Sequence, residues 1–264
     1  MVTKRDLLDD LPYGYIRRFV VKTRVISPGQ YRDKKDHVRG LIRRLSADEC
    51  QFLSQLYDEG VPARRAAERF TRTCQPDDEL VRTEFLQKLR SENETHTILS
   101  EVPVEDNRAD LVQVGTDSTA YELKSPRDTY RRLESQLTAF HGTFDKVYVV
   151  IPAEEEVPEA VTETTGIIQY TYPEFEFEHI KEAIPTDSDL SMQLRQLWLR
   201  DLRTWVSSET RADCAESNDE QSKLVKAILD QHSRSEIERK FRQSLASRVL
   251  DEGDTHPDQS TLTA

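Results

Sequence analysis

The sequence predicts an α/β domain on a mixed sheet, with a basic helical region before it and helices after it. Three observations carry that expectation. Apolar residues recur at helical spacing from Leu80 to Leu89 and again from Tyr130 to Phe140. Between and after these stretches lie short strand-like runs, THTILSEVPV, RADLVQV, TAYELK and FDKVYVVIP. The resulting order is helix, strand, strand, strand, helix, strand, an αβββαβ core in which both periodicities alternate along one continuous stretch.

Taken in order, residues 1–36 mix Pro12, Pro28 and Gly29 with basic and aromatic residues, and read as an irregular arm with one short helix or strand. From His37 to about Phe70 the pattern is helical. Ser46 with Glu49 forms a capping box, Leu53, Leu56 and Tyr57 make an apolar stripe, and Gly60 closes the helix. VPARRAAERF makes a second short helix, and residues 1–76 together form the basic front. The central unit, residues 77–206, opens with Asp77 or Asp78 capping a helix whose stripe is Leu80, Val81, Phe85, Leu86 and Leu89, with Glu84 beside it. The second and third strands are joined by Gly115-Thr116-Asp117-Ser118. SPRDTYRRLESQLTAFHG reads as a helix with Pro126 in its first turn and Gly142 at its end. FDKVYVVIP is nearly continuous in apolar residues, as a strand buried on both faces is. Acidic AEEEVPEAVTETT reads as a loop, GIIQYTY as a strand and FEFEHI as an edge strand. Residues 189–206 place Leu190, Leu194, Leu197, Trp198, Leu202 and Trp205 at helical spacing, a stripe that serves as core or as a homodimer face. Residues 207–250 carry a C-terminal helix, a long one over 219–250, and 251–264 read as a disordered tail.

The 264 residues contain no apolar run near the ~18 needed to span a bilayer, so no membrane association is expected. The opening MVTKRDLLDDLPYGYIRRFV has acidic residues and no apolar h-region, so no signal peptide is expected. Cys50, Cys74 and Cys214 fit neither a zinc spacing nor a disulfide framework, and point to a reducing cytoplasm. The net charge of −12 argues against a nucleic-acid partner until the chain is split. Residues 1–75 carry 16 Lys and Arg against 10 Asp and Glu, a net of +6, and the remainder carries −18. Arg17, Arg18, Lys22, Arg24, Arg39, Arg43 and Arg44 cluster in that front, either as a contact region for nucleic acid or as solvated helix faces. Arginine outnumbers lysine 26 to 11 among abundant carboxylates, a balance resembling that of proteins from salt-loving archaea. No glycine-rich phosphate loop is present, so no nucleotide cofactor is expected.

The chemistry concentrates around Asp110, Glu122 and Lys124. Side chains alternate along a strand, so burying Tyr121 and Leu123 turns Glu122 and Lys124 together to the other side. A three- or five-residue connection sets Asp110 opposite Glu122, whereas a four-residue loop pairs Asp110 with Leu123. Two carboxylates so placed suit a hard cation such as Mg²⁺, which takes oxygen ligands at ~2.0–2.1 Å and is held by one or two carboxylates plus substrate phosphate. The bland alternative is a cross-strand ion pair, worth ~0–1 kcal/mol when exposed.

Asp110 followed by Glu122-Leu123-Lys124, in this order of elements, resembles the PD-(D/E)XK (restriction-endonuclease-like) nuclease superfamily. Ala109 stands where that superfamily often has proline, and its helical glutamate corresponds to Glu84. Gln136 with Phe140 four residues on is similar to the glutamine–aromatic pair of the RecB-like branch. The wording of YELKSPRDTYRRLESQLTAFHGTFDKVYVV also resembles an uncharacterised prokaryotic branch, over roughly residues 79 to 206. The resemblance implies a deoxyribonuclease dependent on Mg²⁺ or Mn²⁺, active in DNA repair or in defence against foreign DNA. Asp110, Glu122 and Glu84 would serve the metal, Lys124 the attacking water or the phosphate, and Gln136 the positioning of the site. Arg127, Arg131 and Arg132 either join the front in contacting DNA phosphates or form a solvated face. The alternative is a catalytically silent nucleic-acid- or protein-binding module with the same fold.

Overall fold

The computed structural model describes residues 3–26, 33–215 and 219–252, and all but two residues of the expected tail lie outside them. The chain divides into two compact units. One comprises residues 1–81 with 125–127 and 171–176, and the other comprises residues 82–124, 128–170 and 177–264.

The first unit is helical where the sequence reads as an irregular arm. Thr3 and Asp6 form a capping box that starts α1 (Lys4–Asp9), and Pro12 immediately precedes α2 (Tyr13–Thr23). Then come α3 (Lys34–Arg44), α4 (Ala47–Asp58) and α5 (Ala63–Cys74). At the end of α4, Gly60 takes φ +74° while its N–H donates to Tyr57 and that of Val61 to Leu56. This pair of bonds is the Schellman stop, and glycine adopts its left-handed backbone without penalty. Ile16, Phe19, Leu41, Leu53, Leu56 and Phe70 form the buried core of these helices. Proline and scattered basic residues hid α1 and α2, because a capping box and a proline just before a helix are starts rather than breaks.

The helix α6 (Asp78–Glu92) runs from the first unit into the second. The second unit is a six-stranded mixed sheet in sequence order. Its strands are β1 (Thr97–Val104), β2 (Asn107–Val114), β3 (Ser118–Leu123), β4 (Lys146–Pro152), β5 (Gly166–Tyr170) and β6 (Phe177–Lys181). β1, β2 and β3 are antiparallel neighbours, β3 to β5 run parallel, and β6 returns antiparallel. The near-continuous apolar run of β4 fits its place between two parallel neighbours. The short, charged β6 is an edge strand, and charge there blunts further pairing.

One face of the sheet, with Val112, Ala120, Val147 and Val149, shares a core with Leu137 and Phe140 of α7 (Leu133–Thr143). On the other face Phe85 of α6 meets the rings of Tyr121 at 5.2 Å and Phe177 at 5.0 Å. Full burial of one such side chain stabilises by ~1.5–3 kcal/mol.

Three helical expectations change. The helix begun at Pro126 starts only at Leu133, so Tyr130 and Arg127 precede it. Proline disfavours a helical residue before it, and the Lys124 carbonyl is taken by the Tyr170 hydroxyl at 3.0 Å. The stretch 189–206 is two helices, α8 (Leu190–Arg195) and α9 (Leu199–Thr204), parted at Trp198, whose ring takes Arg200 at 4.0 Å. Leu194, Leu197 and Leu202 of this stripe are buried in the core. After α10 (Ser208–Ala215), the long C-terminal helix is α11 (Glu220–Gln231) and α12 (Arg234–Glu252). At Ser233 the chain restarts, its N–H and its hydroxyl both donating to the Glu236 carboxylate, a signal visible as S-x-x-E. Among the described residues, no helix is long and apolar enough to cross a membrane.

Candidate active site

The register across β2 and β3 decides the site. Val114 pairs with Ser118 and Leu111 with Tyr121, so only Gly115, Thr116 and Asp117 lie in the connection. The same register brings Asp110 across from Glu122. Here the main-chain ladder gives way to a side chain, because Asp110 Oδ2 accepts the Leu123 N–H at 2.7 Å. That bond fixes the Asp110 carboxylate against the end of β3.

Glu122 and Lys124 are only 2 % and 7 % exposed, which rules out the surface ion pair of the bland reading. Lys124 Nζ donates to Glu122 Oε1 at 2.6 Å and to Gln136 Oε1 at 3.4 Å. Gln136 reaches the pair from α7, itself buried. The backbone of Lys124 is held from two strands, its N–H donating to Val150 O at 2.8 Å and its carbonyl accepting from Tyr170. Nothing in the sequence singles out Tyr170, a buried strand aromatic like its neighbours, and only the fold carries its hydroxyl to Lys124.

A buried ion pair is costly to desolvate, and here the cost shows on the acid. Burial first, and then the negative charge of Asp110, push Glu122 up to about 7, and Lys124 and Gln136 offset this only in part. Glu122 Oε2 is buried without a hydrogen-bond partner. An orphaned buried acceptor beside a second carboxylate fits a small hard cation, whose ligands are oxygens.

The structure thus brings together Asp110, Glu122, Lys124 and Gln136. It does not bring Glu84 into that set. α6 packs over the Tyr121 face, whereas alternation turns Glu122 to the opposite one, and the charges acting on Glu122 are those of Asp110 and Lys124. Among the described residues no group of three or more His, Cys, Asp and Glu side chains is set to hold a metal ion. In the first unit Arg17, Arg18, Lys22, Arg24, Arg39, Arg43 and Arg44 are exposed, because the buried stripes of α2 and α3 leave them outward. Arg131 and Arg132 are exposed just ahead of α7, and Arg127 donates to the Thr23 carbonyl at 3.1 Å. His141 donates or accepts at Thr165 Oγ1, 2.8 Å away, a structural contact.

The family model described as bacteriophage P4 protein cII matches residues 78–256. Protein cII of Enterobacteria phage P4 is 33% identical over 78 residues, which span 28% of this chain and 30% of that protein. A solved structure, a protein of unknown function from Silicibacter pomeroyi, is 13% identical with a TM-score of 0.35, covering 67% of this chain and 94% of its own.

Proposed function

We propose that this chain, which belongs to the bacteriophage P4 protein cII family, is a metal-dependent nuclease that hydrolyses DNA phosphodiester bonds. The single observation that carries the reading is the buried pair: Asp110 across from Glu122, an orphaned Glu122 Oε2, and an ammonium 2.6 Å away. The order α6, β1, β2, β3, α7, β4 supports a restriction-endonuclease-like core, the finer form of the mixed α/β architecture.

Asp110 and Glu122 would hold Mg²⁺ or Mn²⁺. Such an ion, when bound, polarises a phosphoryl oxygen and makes bound water a better nucleophile. The residues of the chain prepare that chemistry. The Leu123 N–H keeps the Asp110 carboxylate from turning away from the pair. Glu122 must lose its proton before it serves a cation, so the site gains competence as pH rises through about 7. Lys124 supplies a positive charge fixed in a dry setting, where it opposes the negative charge that develops on phosphate far more strongly than in water. Gln136 holds that ammonium from the helix side. The exposed cations of α2 and α3 grip the backbone without reading sequence, so affinity falls with salt.

Plasmid and single-stranded DNA incubated with Mg²⁺, Mn²⁺ or chelator, at low and high salt, test the proposal. Cleavage by the wild type that stops in chelator and in Glu122→Ala and Lys124→Ala is the expected result. Cleavage surviving both substitutions would remove the site. Binding without cleavage of any substrate would favour the silent module.

A further inference from the structure

A cavity of about 500 Å³ in the first unit is lined by Arg24, Arg44 and Arg127 with Glu49, Cys74 and Gln75. Its three arginines come from three separate pieces of chain: the end of α2, the last turn of α3, and the segment three residues beyond Lys124. Arg24 and Arg44 have no acidic partner among the described residues. The acid within the lining is already engaged, since Glu49 accepts the Ser46 N–H and the Gln75 side-chain amide. Asp77 and Asp78 act on Arg127 as well, and Asp77 caps α6 through the Leu80 N–H at 3.0 Å. Arg127 is therefore the anchored member and the other two are available.

Arg24 also sits in an expensive conformation. It caps α2 with φ 53° and ψ 17°, a left-handed position that glycine or asparagine fills cheaply. A side chain with a Cβ is disfavoured there, and an observed outlier of this kind points towards function. Two arginines without an acidic partner, beside a third held in place, offer fork-like N–H donors that match the oxygens of a phosphate.

We propose that this cavity is a phosphate pocket that takes the terminal phosphomonoester of a nucleic-acid strand. A monoester presents three oxygens and about −1.5 to −2 charges, which suits three guanidiniums better than the single charge of a backbone diester. The nature of the strand rests on the nuclease reading; the pocket itself does not.

The test measures equilibrium binding to the full chain by fluorescence anisotropy, with chelator present to prevent cleavage. Three oligonucleotides of one sequence carry a 5′-phosphate, a 3′-phosphate or hydroxyls at both ends. The wild type binds one phosphorylated form about tenfold more tightly than the hydroxyl form, a difference on the scale of one charge-assisted contact. The double variant Arg24→Gln/Arg44→Gln loses that preference, and Glu122→Gln keeps it. Inorganic phosphate erodes the preference in the wild type, a readout that needs no variant. Equal binding of all three oligonucleotides by the wild type, a preference that survives the double substitution, or indifference to inorganic phosphate each overturns the pocket. A preserved preference in a protein that cleaves nothing upholds the pocket and sinks the nuclease reading alone.

Discussion

Replacing Glu122 by glutamine isolates the strain stored in the buried pair. The side chain keeps its shape and its acceptor towards Lys124 but loses the ionisation. Burial and Asp110 raise Glu122 from 4.5 to about 7. Every tenfold gain in proton affinity is worth ~1.4 kcal/mol, so ionised Glu122 costs the folded state about 3 kcal/mol. The folded protein holds the proton more tightly than the unfolded chain. The stability from Glu122 is therefore fully present below pH 4.5 and is lost progressively as pH rises through about 7. Glu122→Gln does not titrate, so subtracting its urea-unfolding curve from that of the wild type, from pH 4 to 9, leaves the contribution of this one group. The variant is expected to match the wild type near pH 4 and to exceed it by about 3 kcal/mol at pH 8. A flat difference, or a variant less stable at pH 8, would refute the claim that Glu122 is held against its preferred ionisation.

Three further substitutions probe the pair and the sheet that carries it. Lys124→Met removes the first of the two groups that pull Glu122 down, so Glu122 climbs beyond about 7, and the acid limb of any metal-dependent rate moves to higher pH. Tyr170→Phe strips one hydroxyl and orphans the buried Lys124 carbonyl, costing about 1–2 kcal/mol in thermal or urea unfolding; no loss would show the clamp to be idle. Gly166→Ala places a Cβ 2.3 Å from the Tyr148 ring and 2.8 Å from the Ala183 nitrogen, an overpacking worth about 1–3 kcal/mol. An unchanged melting temperature there would mean that β5 has room it does not display.

Much of the second unit is legible in the sequence because its periodicities are strong and its turns short. The turn chemistry of Gly115-Thr116-Asp117-Ser118 marks the β2–β3 connection, but Ser118 already pairs within β3, so the three-residue register that brings Asp110 to Glu122 is shown only by the fold. Tyr121 and Leu123 flag the buried face, and thereby the direction of Glu122 and Lys124. What stays hidden depends on partners distant in sequence. The stretches 189–206 and 219–250 each read as unbroken because apolar spacing continues across Trp198 and His232, and in the second only the cap at Ser233 betrays a stop. Glu84 lies beside an apolar stripe that does pack as expected, yet the stripe turns α6 to the Tyr121 face. The burial of the ion pair is equally invisible in the sequence. Glu-Leu-Lys is written the same way on a wet edge and in a dry core, and only the covering helix α7 and strand β5 make it the latter.

Titration of the full chain with Mn²⁺ at pH 8, where Glu122 is ionised, tests the carboxylate pair most directly. Followed by calorimetry, the wild type is expected to take up one cation per chain, and Asp110→Asn and Glu122→Gln are each expected to abolish that uptake. No uptake by the wild type, or uptake that persists in both variants, would contradict the assignment.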